Sequence, residues 1–419
     1  MPKRPSWRSA GTTGGTGEPA TCMDDVPFLD LSDPSFSMHS PAVRDARERS
    51  WYARTDHGIA VLRHAEVKQL LKSPSLSQGS ARWPDHQGVH DGAFHSWWTR
   101  NLLVLEGDEH HRIRRLLTPV FTVAGARRLE PAFSEIAEEL VAGFAGRGTA
   151  EFVSEFAAPY AARALCTLMG LPHADWPFVA EHAGTIGLAL GVGIRDEIDR
   201  IDLAVQALYG YVEKLIADRL AHPADDIVTR LVNHSEAGEK LSQIELRNAL
   251  VLMIFGGMDT TRNQLGLIVA TFVRDPAQWE LLADRPELTR AAVEEALRIA
   301  PTTSWITREA VETFEFQDVQ ISRGTTVHLF ATASGSDPRT YPDGDHVDVT
   351  DTDRTPHHAF GGGIHHCIGH QIARADMTVA LRVLTRTLTD VRPAGRQAWL
   401  PDSGNTGPTR YPVTFTKRG

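Results

Sequence analysis

Phe360-Gly361-Gly362-Gly363-Ile364-His365-His366-Cys367-Ile368-Gly369 is the stretch on which the reading of this chain turns. Three consecutive glycines permit positive φ and a close approach to a flat ligand. Apolar residues at helical spacing follow at once, from Ile368 to about Thr389. Cys367 therefore falls at a predicted helix N-terminus, where the positive dipole end and free N–H groups stabilise a thiolate. A thiolate ligates metals, and on a haem iron it favours O–O cleavage. Two other readings fit these residues alone: Cys367 as a small buried hydrophobe, or as a zinc ligand with His365, His366 and His370. So tight a spacing strains a tetrahedral zinc site, and no second Cys/His pair with standard spacing occurs in the sequence.

A second informative stretch is Gly256-Gly257-Met258-Asp259-Thr260-Thr261, in the middle of the longest predicted helix. That helix opens at Leu241-Ser242-Gln243-Ile244-Glu245, where Ser242 and Glu245 form a capping box, and runs to about Arg274 before Asp275-Pro276. At 1.5 Å per residue, its roughly 33 residues reach about 50 Å. Each glycine costs about 1 kcal/mol in a helix interior. The pair therefore predicts close approach of a flat ligand or a local opening of the helical ladder. Asp259 offers a proton donor and Thr260 a hydroxyl for bound oxygen or water. A purely structural alternative has Thr260 bonding back to a carbonyl one turn earlier and Asp259 meeting a buried cation.

Outward from these, Glu295 and Arg298 lie three apart on one helical face, and His110 and Arg114 lie four apart on another. Arg308 follows in Ile306-Thr307-Arg308-Glu309-Ala310, and arginine holds carboxylates well through paired hydrogen bonds. Residues 305 to 333 read as short strands, with turns at Gln317-Asp318 and Arg323-Gly324. Trp51 to Arg63 reads as a hairpin, and helix predominates elsewhere.

Taken together and in their order along the chain, these motifs resemble the cytochrome P450 family, in its bacterial form, over about residues 41 to 415. The resemblance implies a mainly α fold with a minor β subdomain, forming a single large domain around haem b (iron protoporphyrin IX). It implies Cys367 as the proximal iron ligand, within a loop where Phe360, Gly361, Gly363, His365 and Gly369 stand at the expected positions. His365 would approach a haem propionate, His110 and Arg114 would hold one propionate, and Arg308 would hold the other. Asp259 would feed protons and Thr260 steady dioxygen, with Gly256 and Gly257 on the oxygen side and Met258 shaping the pocket. Glu295 and Arg298 would form a buried structural pair. The chain departs from the family at His346, where arginine is common, and at Asp351; Arg354 is the candidate replacement.

Composition bounds the rest. The 419 residues carry 43 Lys+Arg against 53 Asp+Glu, a net charge of −10, which argues against general nucleic-acid binding. Cys22, Cys166 and Cys367 form no disulfide framework, so a reducing cytoplasm is expected. No apolar run approaches the roughly 20 residues of a membrane span. Residues 1–25 are expected to be a disordered tail and residues 26–419 one catalytic domain, acting as a monomer. Substrate choice is expected from residues 77–96, from 171–196, where the small apolar stretch Gly184 to Gly191 reads as either a mobile lid or a packed helix end, from Met258, from Ser304 and Trp305 (Trp305 lining the pocket or filling the core), and from the turn Gly404-Asn405-Thr406.

The expected reaction is oxidation of a small organic molecule by dioxygen, by hydroxylation or epoxidation, in specialised metabolism. Electrons would come from a ferredoxin and its reductase, with Arg112 and Arg115 in a docking patch. Oxidative coupling or desaturation is an alternative on the same scaffold. A haem-binding sensor or recruitment module is the alternative from another class. A nicotinamide-reducing variant lacks its dinucleotide loop.

Overall fold

Ser242 caps the helix Gln243–Val273, and the reciprocal bonds of the capping box with Glu245 are both present. The computed structural model describes residues 26–33, 35–190, 194–235 and 238–419; the predicted tail, Cys22 and Gly191 lie outside them. Twenty of the 31 residues of this central helix are buried, so other elements surround it. Its first half packs in one apolar cluster with Phe94, Trp97 and Val205. Its second half packs in another with Phe133, Tyr160 and Leu384. Between the halves the apolar filling stops. Asp259, Thr261, Asn263 and Gln264 are buried polar residues, whereas Gly256 and Gly257 are solvent-accessible.

Helices Gly107–Leu117, Val123–Ala145, Ala158–Met169, Trp176–Gly187, Ile194–Ala221 and Thr289–Ile299 make most of the remaining core. A π-helical turn, Val153–Ala157, leads into Ala158–Met169. The minor β component is a five-stranded sheet in the order Tyr52–Thr55, Gly58–Val61, Thr326–Phe330, Trp305–Ala310, Leu76–Gln78. Its pairings are antiparallel except where Gly58–Val61 runs parallel to Thr326–Phe330. The hairpin expected around Asp56-His57 and the turns at Gln317 and Gly324 are present, the latter two with positive φ.

The cysteine helix differs from its predicted start. It is His370–Thr387, with Gly369 as N-cap, because the backbone N–H of Cys367 is already bonded to the Phe360 carbonyl at 3.0 Å. Near the C-terminus, Ala398–Trp399 pairs with Pro408–Arg410, and the turn between them lies on the central helix. Glycine is needed at both contacts: a Cβ at Gly266 would fall 2.4 Å from the Pro408 ring, and one at Gly407 only 2.7 Å from Asn263 Cβ. Among the described residues no helix is long and apolar enough to cross a membrane.

Candidate active site

Gly361 and Gly363 take φ of 68° and 66°, which turns the loop before Cys367 back on itself. At Gly363 this also lets the backbone meet Leu71, whose carbonyl oxygen would lie 2.4 Å from any Cβ. Ile368 packs against the cluster that holds Phe255 and Met258, which brings the cysteine loop to the middle of the central helix. Cys367 is accessible although it lies deep in the protein, the signature of a side chain on a cavity wall. Burial pushes its thiol above the usual range. The Gly369 and His370 backbone N–H groups and the Arg114 and Arg374 guanidinium groups act the other way. These donors favour a thiolate once a cation is opposite it.

The anchoring of the loop is ionic and aromatic. Arg374 binds both oxygens of Glu294, at 2.5 and 3.0 Å, and its guanidinium lies 4.4 Å over the Phe360 ring. His357 reaches Glu294 at 3.2 Å. Burial alone would raise the Glu294 carboxyl, but bonds from His357 and Arg374 outweigh it and hold the group at about 2.

Two buried groups beside the loop are under-satisfied among the described residues. His110 is fully buried, and neither ring nitrogen has a hydrogen-bond partner there; burial lowers its pKa to about 4. Its ring is 4.5 Å from that of His365. The Arg308 side chain, 4 % exposed, donates to Gln78 Oε1 and to the Thr307 carbonyl but has no ion-pair partner among the described residues. Burial lowers it to about 10, with Glu106 the carboxylate acting against the shift. Glu106 ties these parts together, accepting from the Gln78 backbone at 2.6 Å and meeting His365 Nε2 at 3.1 Å. An orphaned imidazole and a buried guanidinium without an ion-pair partner, flanking an accessible thiol, suit a flat ligand with a metal centre and carboxylates at its edge. The residues present therefore fit haem. Zinc does not fit: among the described residues no group of three or more His, Cys, Asp or Glu is placed to hold a metal ion. Arg114 is placed beside the cysteine, donating to the His366 carbonyl at 2.5 Å.

On the helix side, Thr260 Oγ1 donates to the Gly256 carbonyl at 2.6 Å, a back-bond that occupies the carbonyl one turn earlier. Asp259, 2 % exposed, meets Arg262 at 2.6 Å and accepts from Asn405 at 2.8 Å and Asn263 at 3.3 Å. Both contacts of the purely structural alternative thus exist. They coexist with an accessible Gly256, beside which a Cβ would meet nothing within 4 Å.

Away from the cleft, Glu295 and Arg298 form a bidentate buried pair at 2.8 and 2.9 Å. Arg298 also donates to the carbonyls of Gly335, Gly344 and His346. His346 thus contributes its backbone, and the missing arginine is supplied by Arg354, 3.2 Å from Glu295.

The remaining expectations scatter. Met258 is buried in the apolar cluster with Phe94 and Trp97. Trp305 stacks on Phe330 and packs with the Leu29 and Met38 cluster. Ser304 and Thr406 line a cavity of about 350 Å³ with Met38, Leu267 and Arg274, which includes neither Gly256–Thr260 nor Cys367. Arg112 pairs with Glu245, and Arg115 lies 2.5 Å from Glu239, so neither cation of the expected docking patch is free. Sequence reasoning named the segments that hold Gln78 and Asn405 only as candidates for substrate choice, gave Glu106 no role, and did not single out Arg262.

Residues 197–397 match the family profile described as Cytochrome P450. Luteothin monooxygenase of Streptomyces thioluteus is 35 % identical over 93 % of this chain and 96 % of its own length. Mycinamicin IV hydroxylase/epoxidase of Micromonospora griseorubida is 34 % identical over 85 % of this chain and 89 % of its own. The crystal structure of CalO2 superposes with a TM-score of 0.83 at 28 % identity, covering 92 % of this chain and 99 % of that one. Extent and identity of this order, on a site that fits haem, make the chain an oxidoreductase of monooxygenase type. It belongs to the cytochrome P450 family.

Proposed function

We propose that this chain hydroxylates or epoxidises a secondary metabolite, using haem b and electrons relayed from a ferredoxin reductase through a ferredoxin. The observation that carries the reading is the accessible Cys367 thiol, with the orphaned His110 packed on His365 of the same loop and the buried Arg308 joined to that loop through Glu106. Two such sites suit the two propionates of protoporphyrin. Bound haem would supply the dioxygen chemistry, with Cys367 as the thiolate that would hold its iron. The protein's own part is to hold the thiolate with backbone N–H groups, to clamp the carboxylates, and to manage protons. Asp259 is placed to pass a proton through its carboxylate, and the Thr260 hydroxyl keeps lone pairs free to accept a further hydrogen bond. Sparse cysteines, with Cys166 free and buried, support a reducing cytoplasm.

The test is a visible spectrum of the haem-loaded protein titrated with a panel that begins with luteothin and mycinamicin IV, the compounds in the relatives' names. A compound that shifts the spectrum is then turned over with NADPH, ferredoxin and ferredoxin reductase. The expected product carries one added oxygen atom. Consumption of such a compound with no oxygen gained would contradict hydroxylation and epoxidation and favour coupling or desaturation.

A further inference from the structure

Asp259 is enclosed from three directions. Within its own helix, Arg262 takes Oδ1 and Asn263 approaches Oδ2. From helix Trp176–Gly187, Gly187 comes so near that a Cβ there would stand 3.2 Å from the carboxylate. From the C-terminal turn, the Asn405 amide donates to Oδ2 at 2.8 Å. Asn405 makes the shortest hydrogen bond to Asp259 and comes from 146 positions away in the chain.

The orientation of that amide is set by its neighbours. Asn405 Oδ1 accepts from the Asn263 amide at 3.4 Å and lies 2.9 Å from the Thr302 hydroxyl, whose single proton it shares with the Thr406 carbonyl at 2.8 Å. A flipped amide would set its oxygen against the Asp259 carboxylate, two acceptors with no proton between them. Thr302 is held in turn: its N–H donates to Gln264 Oε1 at 2.8 Å, and its carbonyl accepts from Thr406 at 2.8 Å. Asn405 is 7 % exposed, so losing the bond leaves a buried acceptor short of a partner.

We propose that Asn405 is the positioning residue for the Asp259 acid. By holding Oδ2 while Arg262 holds Oδ1, it sets the rotamer from which the carboxylate hands on a proton. It thereby couples the C-terminal turn to proton delivery. The proposal rests on the reading of Asp259 as the proton source.

The experiment is a double-mutant cycle on the haem-loaded protein, with Asn405→Leu, Asp259→Asn and both together. One readout is the unfolding equilibrium in denaturant. A second is NADPH oxidation with ferredoxin and ferredoxin reductase in H₂O and D₂O, with the share of electrons recovered as hydrogen peroxide. Asn405→Leu should lower the folding equilibrium constant about five- to tenfold, and the double variant should lose less than the product of the two single losses. Asn405→Leu should also enlarge the solvent isotope effect and at least double the peroxide share, with no further change in the double variant. Thr302→Val, which leaves Asp259 intact, should shift both solvent readouts the same way by less, and serves if Asn405→Leu does not fold. A defect in Asp259→Asn that neither Asn405→Leu nor Thr302→Val shares would overturn the positioning role alone. Unchanged proton readouts in Asp259→Asn would remove the proton-source reading and this proposal with it.

Discussion

Arg354 Nε lies 3.2 Å from Glu295 Oε1, beside the bidentate pair that Glu295 makes with Arg298. Three elements meet at this buried carboxylate, and Arg298 carries the loop carbonyls at 335, 344 and 346. Removing one partner strands the other. Arg298→Ala should therefore cost about 3–5 kcal/mol in denaturant unfolding. Arg354, at 16 % side-chain exposure and shared with Asp351, should cost only about 1 kcal/mol when changed to Ala. Equal losses for the two would contradict the assignment of Arg298 as the hub.

Arg308 and His110 should govern cofactor retention. Arg308→Leu removes a buried cation that has no ion-pair partner among the described residues, so the empty fold should tolerate it. Haem binding should weaken by a factor of about ten or more, following the loss of a charge-assisted bond. Haem transfer to apomyoglobin reports this directly. His110→Phe should act in the same direction with a smaller effect, and unchanged transfer rates in both would contradict the propionate assignment.

Acid should destabilise the fold through buried histidines. Burial lowers His358 to about 3 and His328 to about 4. Both folded values lie below the unfolded value, so the unfolded chain binds the extra protons and stability falls as pH drops below about 6.5. His358 alone should account for about 2 kcal/mol between pH 7 and pH 5. Glu294, held at about 2, adds loss of the same sign below its unfolded value of 4.5. Denaturant titrations of the parent chain and of His358→Gln across this range should show a shallower slope in the variant.

Much of this was legible beforehand because it is local. The capping box at Ser242 and Glu245, the glycine turn before Cys367 and the spacing of Glu295 and Arg298 each depend on residues within one or two turns. The Asp259 clamp was not, since Asn405 reaches it only when the C-terminal turn is seated against Gly266 and Asn263. Glu106 is the N-cap of the helix Gly107–Leu117 that carries His110 and Arg114. Its role rests on bonds to Gln78 and His365, which come from a strand and a loop far apart in sequence. Proximity to Arg308 in sequence says nothing of what Ser304 and Trp305 face: Ser304 lines a cavity with Thr406 and Met38, and Trp305 stacks on Phe330.

The two segments expected to set substrate choice do meet. Trp83 Nε1 donates to the Ala189 carbonyl at 2.8 Å, fastening residues 80–90 to the turn Leu188–Leu190. Trp83→Phe removes one hydrogen bond, worth about 1 kcal/mol. Imidazole should then enter and leave the haem pocket several-fold faster by stopped flow, with little change in thermal stability. Unaltered rates would place the entrance elsewhere.

The central claim is that Cys367 supplies the axial thiolate of a bound haem. Iron K-edge X-ray absorption on the purified, haem-reconstituted protein tests it most directly, with Cys367→Ser alongside. The parent chain should show one sulfur scatterer at the iron, and the variant should stay folded and lose it. A sulfur signal that survives in Cys367→Ser, or a parent chain that takes up no haem, would contradict the account.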